Sequence, residues 1–470
     1  MKPGLQHEML SAIGSRELFD QAREYAHAYM DATLTRRAFP DDEALGALAA
    51  FDEPLPDEPE RPAEILRMLH EHGSPATVAA SGGRYFGFVT GGALPAALAA
   101  RWLADVWDQN PVLYVLSPVI SQLESTCERW IADLLRLPAG TVAGFVSGTS
   151  TATLCGLAAG RYALLERAGW NVNSEGLAGA PPLRVIVNEQ AHASVFRALE
   201  VLGFGSARLE RAAADDEGRM RLDSMPELDA RCLVIAQAGH VNSGAFDPLD
   251  EIGDRVRRAN AWLHVDGAFG LWAAASRSKR VLTRGIEKAD SWSVDAHKTL
   301  NAPYDNGLVL CRHASTLAVA LHASGSYLQF SDRRDGMLYT PEMSRRARAV
   351  DLWATLKALG RSGVEDLVDR LCLHAERFAA KLKAQGFRVL NDVVFNQVLA
   401  ACETPELTRA TLEHIQRSGE CWCGGAEWRG EPVIRISVCS WATTAEDIDR
   451  SVAAFVAARE AATLGDRQTA

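Results

Sequence analysis

The sequence predicts an α/β protein: a mostly parallel sheet with helices on both faces, preceded by a helical segment and followed by a smaller α+β region. Between about residues 80 and 340, short β-rich runs recur, namely TVAGFV, LRVIVNE, RCLVIAQAG, AWLHVDGA, SWSVDAH and NGLVLCR. Helical stretches such as TATLCGLAAGRYALLERAG and SVFRALEVLGF separate several of them. Strands that are apolar along their whole length are buried on both faces, and alternation with amphipathic helices is the pattern of a parallel sheet sandwiched between helices.

In chain order, residues 1–78 form an N-terminal helical segment rich in Ala, Leu, Glu and Arg. It is broken by the proline-laden FDEPLPDEPERP, which has to be extended. Such a segment is not expected to form a core alone. Residues 79–345 are the large sheet domain. The helical PEMSRRARAVDLWATLKALG leads into a C-terminal small domain, 346–470, with helices around the strands FNQVLAAC and EPVIRISVC and a final helix in TAEDIDRSVAAFVAARE.

The bulk numbers exclude several classes. The 470 residues are 47% hydrophobic and 23% charged, with a net charge of −11, an acidic balance that disfavours nucleic acid or an anionic membrane as partner. No apolar run approaches the roughly 18 residues that span a bilayer, and the N-terminus lacks the apolar core of a signal peptide. A cytoplasmic protein is expected. The nine cysteines are scattered, and the closest pair, Cys421-Trp422-Cys423, differs from the C-x-x-C spacing of zinc and redox sites. They read as reduced thiols, and no metal site is expected.

In sheets of this kind ligands bind beyond the carboxyl ends of the strands. After TVAGFV comes Ser147-Gly148-Thr149-Ser150-Thr151 at the start of a helix, a turn of small and hydroxyl residues suited to a phosphate, though equally a helix cap. His192 follows LRVIVNE, and His240-Val241-Asn242-Ser243-Gly244 follows RCLVIAQAG. Asp266 ends AWLHV, and Lys298 follows SWSVDAH. A carboxylate and an amine at the tips of buried strands are costly unless each is answered; the simplest answer is a direct Asp266–Lys298 ion pair. One ligand answers the whole set: a phosphate, a flat ring, a basic ring nitrogen and an aldehyde, which is pyridoxal 5′-phosphate. Lys298 then forms a Schiff base with the aldehyde, Asp266 holds the ring nitrogen protonated, His192 stacks on the ring, and the 148–150 turn takes the phosphate.

The ordered set SGTSTATL, NEQAHASV, AQAGHVNSGAFDPLDEI, HVDGAFG and SVDAHKTL resembles the group II pyridoxal-phosphate decarboxylases, relatives of aromatic-L-amino-acid, glutamate and tyrosine decarboxylases. GGRYFGFVTGGALPAALAARWLADVWDQN upstream and RISVCSWATTAEDID downstream extend the resemblance over residues 60–460. It implies an aspartate-aminotransferase-like, fold type I architecture with a seven-stranded large-domain sheet. It also implies decarboxylation of an L-amino acid, with aromatic residues near 85–88 favouring an aromatic or apolar substrate. It assigns Lys298 and His192 to catalysis, and Gly148, Thr149, Ser150, Asn242, Asp266, Ala268 and His297 to the cofactor. Thr90, Phe86 and Phe88 go to the substrate, with Trp107 shaping its pocket. A loop tyrosine is expected to protonate the product carbon: Tyr339 in DGMLYTPEMSRR, with Tyr327 in GSYLQF as the alternative. A homodimer with a shared active site is expected as well.

The pattern departs from the family where Thr149 and Thr153 replace glycine and asparagine, and where His240-Val241-Asn242 replaces a threonine pair. The alternatives are an aminotransferase, an aldolase-type lyase or an oxidative deaminase on the same scaffold, because cofactor and fold do not fix the bond that breaks. Arg435 in PVIRISVC could grip a substrate carboxylate, or be a structural arginine on a strand. A non-catalytic binding module is disfavoured by the intact Lys298, Asp266 and His192.

Overall fold

The computed structural model describes residues 4–323, 325, 326 and 328–469. Its large sheet is built from β1 (Val142–Val146), β2 (Arg184–Asn188), β3 (Glu210–Ala212), β4 (Cys232–Gln237), β5 (Trp262–Asp266), β6 (Ser291–Asp295) and β7 (Gly307–Cys311), in the order β1-β7-β6-β5-β4-β2-β3. β7 runs antiparallel to both of its neighbours, β1 and β6, and the other pairings are parallel. β1 therefore points the same way as β6. The chain leaves β1, β2, β4, β5 and β6 at one common edge, through the residues that follow Val146, Asn188, Gln237, Asp266 and Asp295.

The strands are apolar throughout because both faces are covered. Val185 and Val187 of β2, with Leu233 and Ile235 of β4, pack into one core layer with the helix Thr149–Arg167. The alternate residues Ile186, Val234 and Ala236 join the opposite layer with the helix Pro118–Leu134, as the two-residue period of a strand requires. The helix Thr149–Arg167 lies close against the sheet. A Cβ on Gly156 would stand 2.7 Å from the His264 ring, and one on Gly160 would stand 2.8 Å from Trp262.

A second, antiparallel sheet contains β8 (Arg388–Val389), β9 (Gln397–Ala401), β10 (Gly424–Trp428) and β11 (Glu431–Ser437), ordered β10-β11-β9-β8. Phe378, Phe387 and Phe455 meet edge to face in its core. The long helix Arg348–Ala384 joins the two regions and breaks at Gly360, where φ is 60°. Residues before the break pack on the large core and many of those after it on the small one. Residues 84–86 run along the small domain. Phe86 N–H donates to the Trp422 carbonyl (2.8 Å), and Ser437 N–H donates to the Phe86 carbonyl (3.0 Å).

The segment between β7 and the long helix is fastened by one buried arginine. Arg334 Nε donates to Glu124 at 2.9 Å, Nη1 donates to Glu128 at 2.5 Å, and Nη2 donates to the Ala143 carbonyl. Removing one partner of a buried ion cluster leaves uncompensated charge, at a cost of about 3–5 kcal/mol. Arg334→Ala is therefore expected to lower the unfolding free energy by about that amount, read as a fall in the urea midpoint at unchanged slope.

Candidate active site

At the common edge of the large sheet lies a cavity of about 240 Å³, lined by Gly148, Thr149, Ser150, His192, Asp266, Ala268, His297 and Lys298. With Phe88, nine positions singled out in the sequence thus converge from stretches far apart in the chain. Phe88, Val89, Ser194, Gln237, Gly239, Val241, Phe269 and Asp295 complete the wall.

Asp266 ends β5 almost fully buried, and its one side-chain hydrogen bond among the described residues is a 3.2 Å donation from Ala268 N–H. Burial pushes its carboxyl up, against the opposing pull of His192 and Lys298. A cation brought against it would oppose that rise. Lys298 does not answer it. Its Nζ lies 2.9 Å from Asp295 Oδ2, so the simple Asp266–Lys298 pair is not formed. Asp295, beside the lysine in the sequence but given no role there, also accepts the Thr149 N–H through Oδ1 at 2.7 Å. Its signal was the Asp-x-x-Lys spacing.

His192 caps the helix Ala193–Val201: its Nδ1 accepts the Ser194 N–H at 3.2 Å, which leaves the proton of the neutral ring on Nε2. Burial, then Lys298 and Arg435, keep it below the usual histidine range. His297 accepts the Asn306 N–H at Nδ1 (3.0 Å), which turns Nε2 toward Asp295 at 3.5 Å. Its ring stacks on Tyr304 at 4.2 Å.

The structure fits the ligand deduced from the strand ends. Thr149 Oγ1 is buried without a hydrogen-bond partner at the first turn of a 19-residue helix, where backbone N–H groups and the helix dipole favour an anion. The Asp266 carboxyl offers a counter-charge, His192 and Ala268 offer walls, and Lys298 offers an amine. A phosphate-bearing pyridine aldehyde is the group these features would hold.

Other candidates lie elsewhere. Phe86 is not at the cavity: it is 1% exposed, edge-on to Phe378 in the small core. Asn242 does not line the cavity either; Val241 does, while Asn242 Oδ1 accepts Arg435 Nη1 at 3.3 Å. Thr90 does not line the cavity, though its neighbours Phe88 and Val89 do. Trp107 is 44% exposed at the end of the helix Pro95–Trp107. Tyr339 stands outside the cavity lining, its ring 4.7 Å from the Arg334 guanidinium, because that arginine is drawn inward by Glu124 and Glu128. Tyr327 lies outside the described residues. Tyr304 had no flag in the sequence beyond its place six residues after Lys298.

These features define a pyridoxal-phosphate enzyme of the fold type I class. Residues 46–400 match the model of the pyridoxal-dependent decarboxylase conserved domain, and the chain belongs to that family: it is a pyridoxal-phosphate-dependent amino acid decarboxylase. It is 28% identical to an aromatic-L-amino-acid decarboxylase of Bacillus atrophaeus over 84% of this chain and 85% of that one. It is 29% identical to the acidic amino acid decarboxylase GADL1 of Mus musculus over 72% of this chain and 62% of that one. Among solved structures, Oryza sativa TDC with PLP and tryptamine superposes with a TM-score of 0.86 at 20% identity, covering 95% of this chain and 97% of that one. Mouse CSAD in apo form gives 0.86 at 22%, covering 95% and 99%. These likenesses show the same fold.

His240 braces the site from behind. Nδ1 accepts the Asn242 and Ser243 N–H groups at 3.2 and 3.3 Å and so holds the turn whose Val241 lines the cavity. Burial lowers it to about 4. The unfolded chain binds a proton near pH 6.5 that the folded chain refuses until about 4, so stability present above pH 6.5 is lost as pH falls through that window. Urea titrations at pH 6.5 and 4.5 are expected to show wild type losing about 2–3 kcal/mol more than His240→Asn.

Proposed function

We propose that this decarboxylase acts on an L-amino acid with an aromatic or apolar side chain and works as a homodimer in the cytoplasm. The observation that carries the substrate class is Phe88. It lines the cavity yet is 66% exposed, held at φ 59° and stacked on Trp422 at 5.6 Å, with Tyr85 on Trp422 at 5.1 Å. An apolar ring kept open to the cavity mouth gains most by covering an apolar substrate group. The aromatic-L-amino-acid decarboxylase among the relatives agrees with this assignment.

Pyridoxal phosphate, when bound, supplies an aldehyde carbon for the lysine and a ring that accepts the electron pair of the bond to the lost carboxylate. In our proposal Lys298 would provide the amine that holds the cofactor. Asp295 anchors that amine before the cofactor arrives, and Thr149, Ser150 and Gly148 hold the phosphate with His297 alongside. Asp266 would hold a ring nitrogen protonated, and Ala268 and His192 would wall the ring, with the His192 Nε2–H available as a donor. Thr90 sits toward the substrate carboxylate. Proton return to the product carbon falls to a tyrosine of the 323–339 segment; for Tyr339 this requires release from Arg334 or delivery into a partner's cavity.

One observation favours a second reading. Arg435 is half-buried, its Nε has no hydrogen-bond partner, and it makes no ion pair among the described residues. An acidic side chain could answer it, as the similarity to GADL1 would allow. Release of carbon dioxide from carboxyl-labelled amino acids, without added keto acid, separates the two. The expected result is kcat/KM for phenylalanine, tyrosine or tryptophan at least about tenfold above glutamate and cysteine sulfinate. Phe88→Ala should remove about 1–2 kcal/mol of that preference, and Lys298→Ala should yield colourless, inactive protein. Preference for an acid, abolished by Arg435→Leu, would establish the second reading.

The dimer is supported by apolar surface that a lone chain leaves in water. Leu5, Met9, Leu10, Ile13 and Phe19 are each more than half exposed on helices that bury none of their own residues, and Val106, Val115 and Leu116 are exposed as well. Monomers rarely tolerate such patches. Light scattering is expected to give twice the 50.9 kDa chain mass, and deletion of residues 1–32 is expected to shift the population toward monomer. Nine free, buried cysteines accord with a reducing compartment. Among the described residues no helix is long and apolar enough to cross a membrane.

A further inference from the structure

A second cavity, of about 410 Å³, opens where the helix Pro118–Leu134 ends against the break at Gly360. It shares no residue with the cavity at the strand ends. Four arginines line it, Arg136, Arg277, Arg280 and Arg361, with a single carboxylate, Glu365. On a chain of net charge −11 this is a concentrated positive hollow. All four arginines are exposed, so water and salt screen them from one another, and an anion seated among them would take the place of that screening. Two are paired: Arg277 Nε lies 3.5 Å from Glu365, and Arg361 pairs with Asp133. Arg136 and Arg280 make no ion pair among the described residues.

Arg136 stands out for a second reason. It follows the last turn of its helix at φ 56°, with its N–H donating to the Asp133 carbonyl and Leu137 N–H donating to that of Ala132. Helices commonly end in this left-handed position, and glycine fills it at least cost. A long cationic side chain has been placed where the backbone favours none.

We propose that this cavity binds a small anion carrying two or more phosphate groups, gripped by Arg136 and Arg280 with Arg277 and Arg361 at its sides. The guanidinium fork matches phosphate oxygens two at a time, which a single carboxylate cannot exploit at four positions. The volume suits a small metabolite. Arg361 and Glu365 lie just beyond the helix break, whereas Arg136, Arg277 and Arg280 come from the large domain, so the bound anion ties the large domain to the second half of the long helix. The assignment does not depend on the amino acid that the enzyme decarboxylates.

The test is calorimetric titration of the chain saturated with pyridoxal phosphate, so that the cofactor's own phosphate site is filled. Sodium tripolyphosphate is the probe, with citrate and sulfate at matched ionic strength. Tripolyphosphate is expected to bind one per chain, at least about tenfold tighter than citrate or sulfate. Arg136→Ser/Arg280→Ser is expected to weaken it about tenfold or more without altering circular dichroism or the cofactor's visible band. Glu365→Gln, which removes the cavity's own negative charge, is expected to tighten it several-fold, and this variant decides the matter should the double variant fail to fold. Absence of binding, equal binding by the double variant, citrate binding as tightly as tripolyphosphate, or no tightening in Glu365→Gln would each overturn the proposal.

Discussion

Asp295 closes β6 with a carboxylate that is 2% exposed, and it joins the start of the helix Thr149–Arg167 to the turn that carries His297 and Lys298. One oxygen takes the Lys298 ammonium at 2.9 Å and faces His297 at 3.5 Å. The other takes the Thr149 N–H at 2.7 Å. A charge withdrawn from water at a strand tip has to be neutralised where it stands, so this one carboxylate fixes the amine, the helix start and the imidazole relative to one another. The geometry of the cofactor cavity follows. The amine emerges beside a helix N-terminus suited to phosphate, and Asp266, one strand away, is left without a cation of its own.

The aromatic wall obeys a different constraint. Residues 84–88 are stitched to Trp422 and Ser437 of the small domain by backbone hydrogen bonds, while Val89 packs into the large core and Phe88 faces the cavity. The cavity is lined by large-domain residues, and its Phe88 wall is the part that rests on the small domain, through Trp422. The break at Gly360 gives the two halves of the long helix different cores to pack on, so the relative placement of the domains bears directly on the shape of the cavity mouth.

Much of this was legible in the sequence, because burial and chemistry leave local marks. The apolar runs marked six of the seven large-domain strands. β3, three residues long at a sheet edge with one exposed side chain, carries too short a pattern to be seen. Lys298, Asp266, His192 and the 148–150 turn were conspicuous as polar groups immediately after apolar strands. Phe86 and Phe88 show the limit. Two residues apart, they have the same composition signal, yet the chain turns at Phe88 (φ 59°), and one is core while the other is cavity wall. Asn242 and Val241 divide in the same way at the neighbouring turn.

Alone, then, the amino-acid order determined the sheet, its helical cover, the edge at which a ligand would sit and the chemistry that edge demands, because each depends on periodicity or on a charge that burial makes conspicuous. Only the tertiary structure decided that Lys298 rests on Asp295 and not on Asp266, that Tyr339 lies under Arg334, and that four arginines from separate segments surround one hollow. Those are distances between residues far apart in the chain, set by how packed elements meet, and no local pattern encodes them.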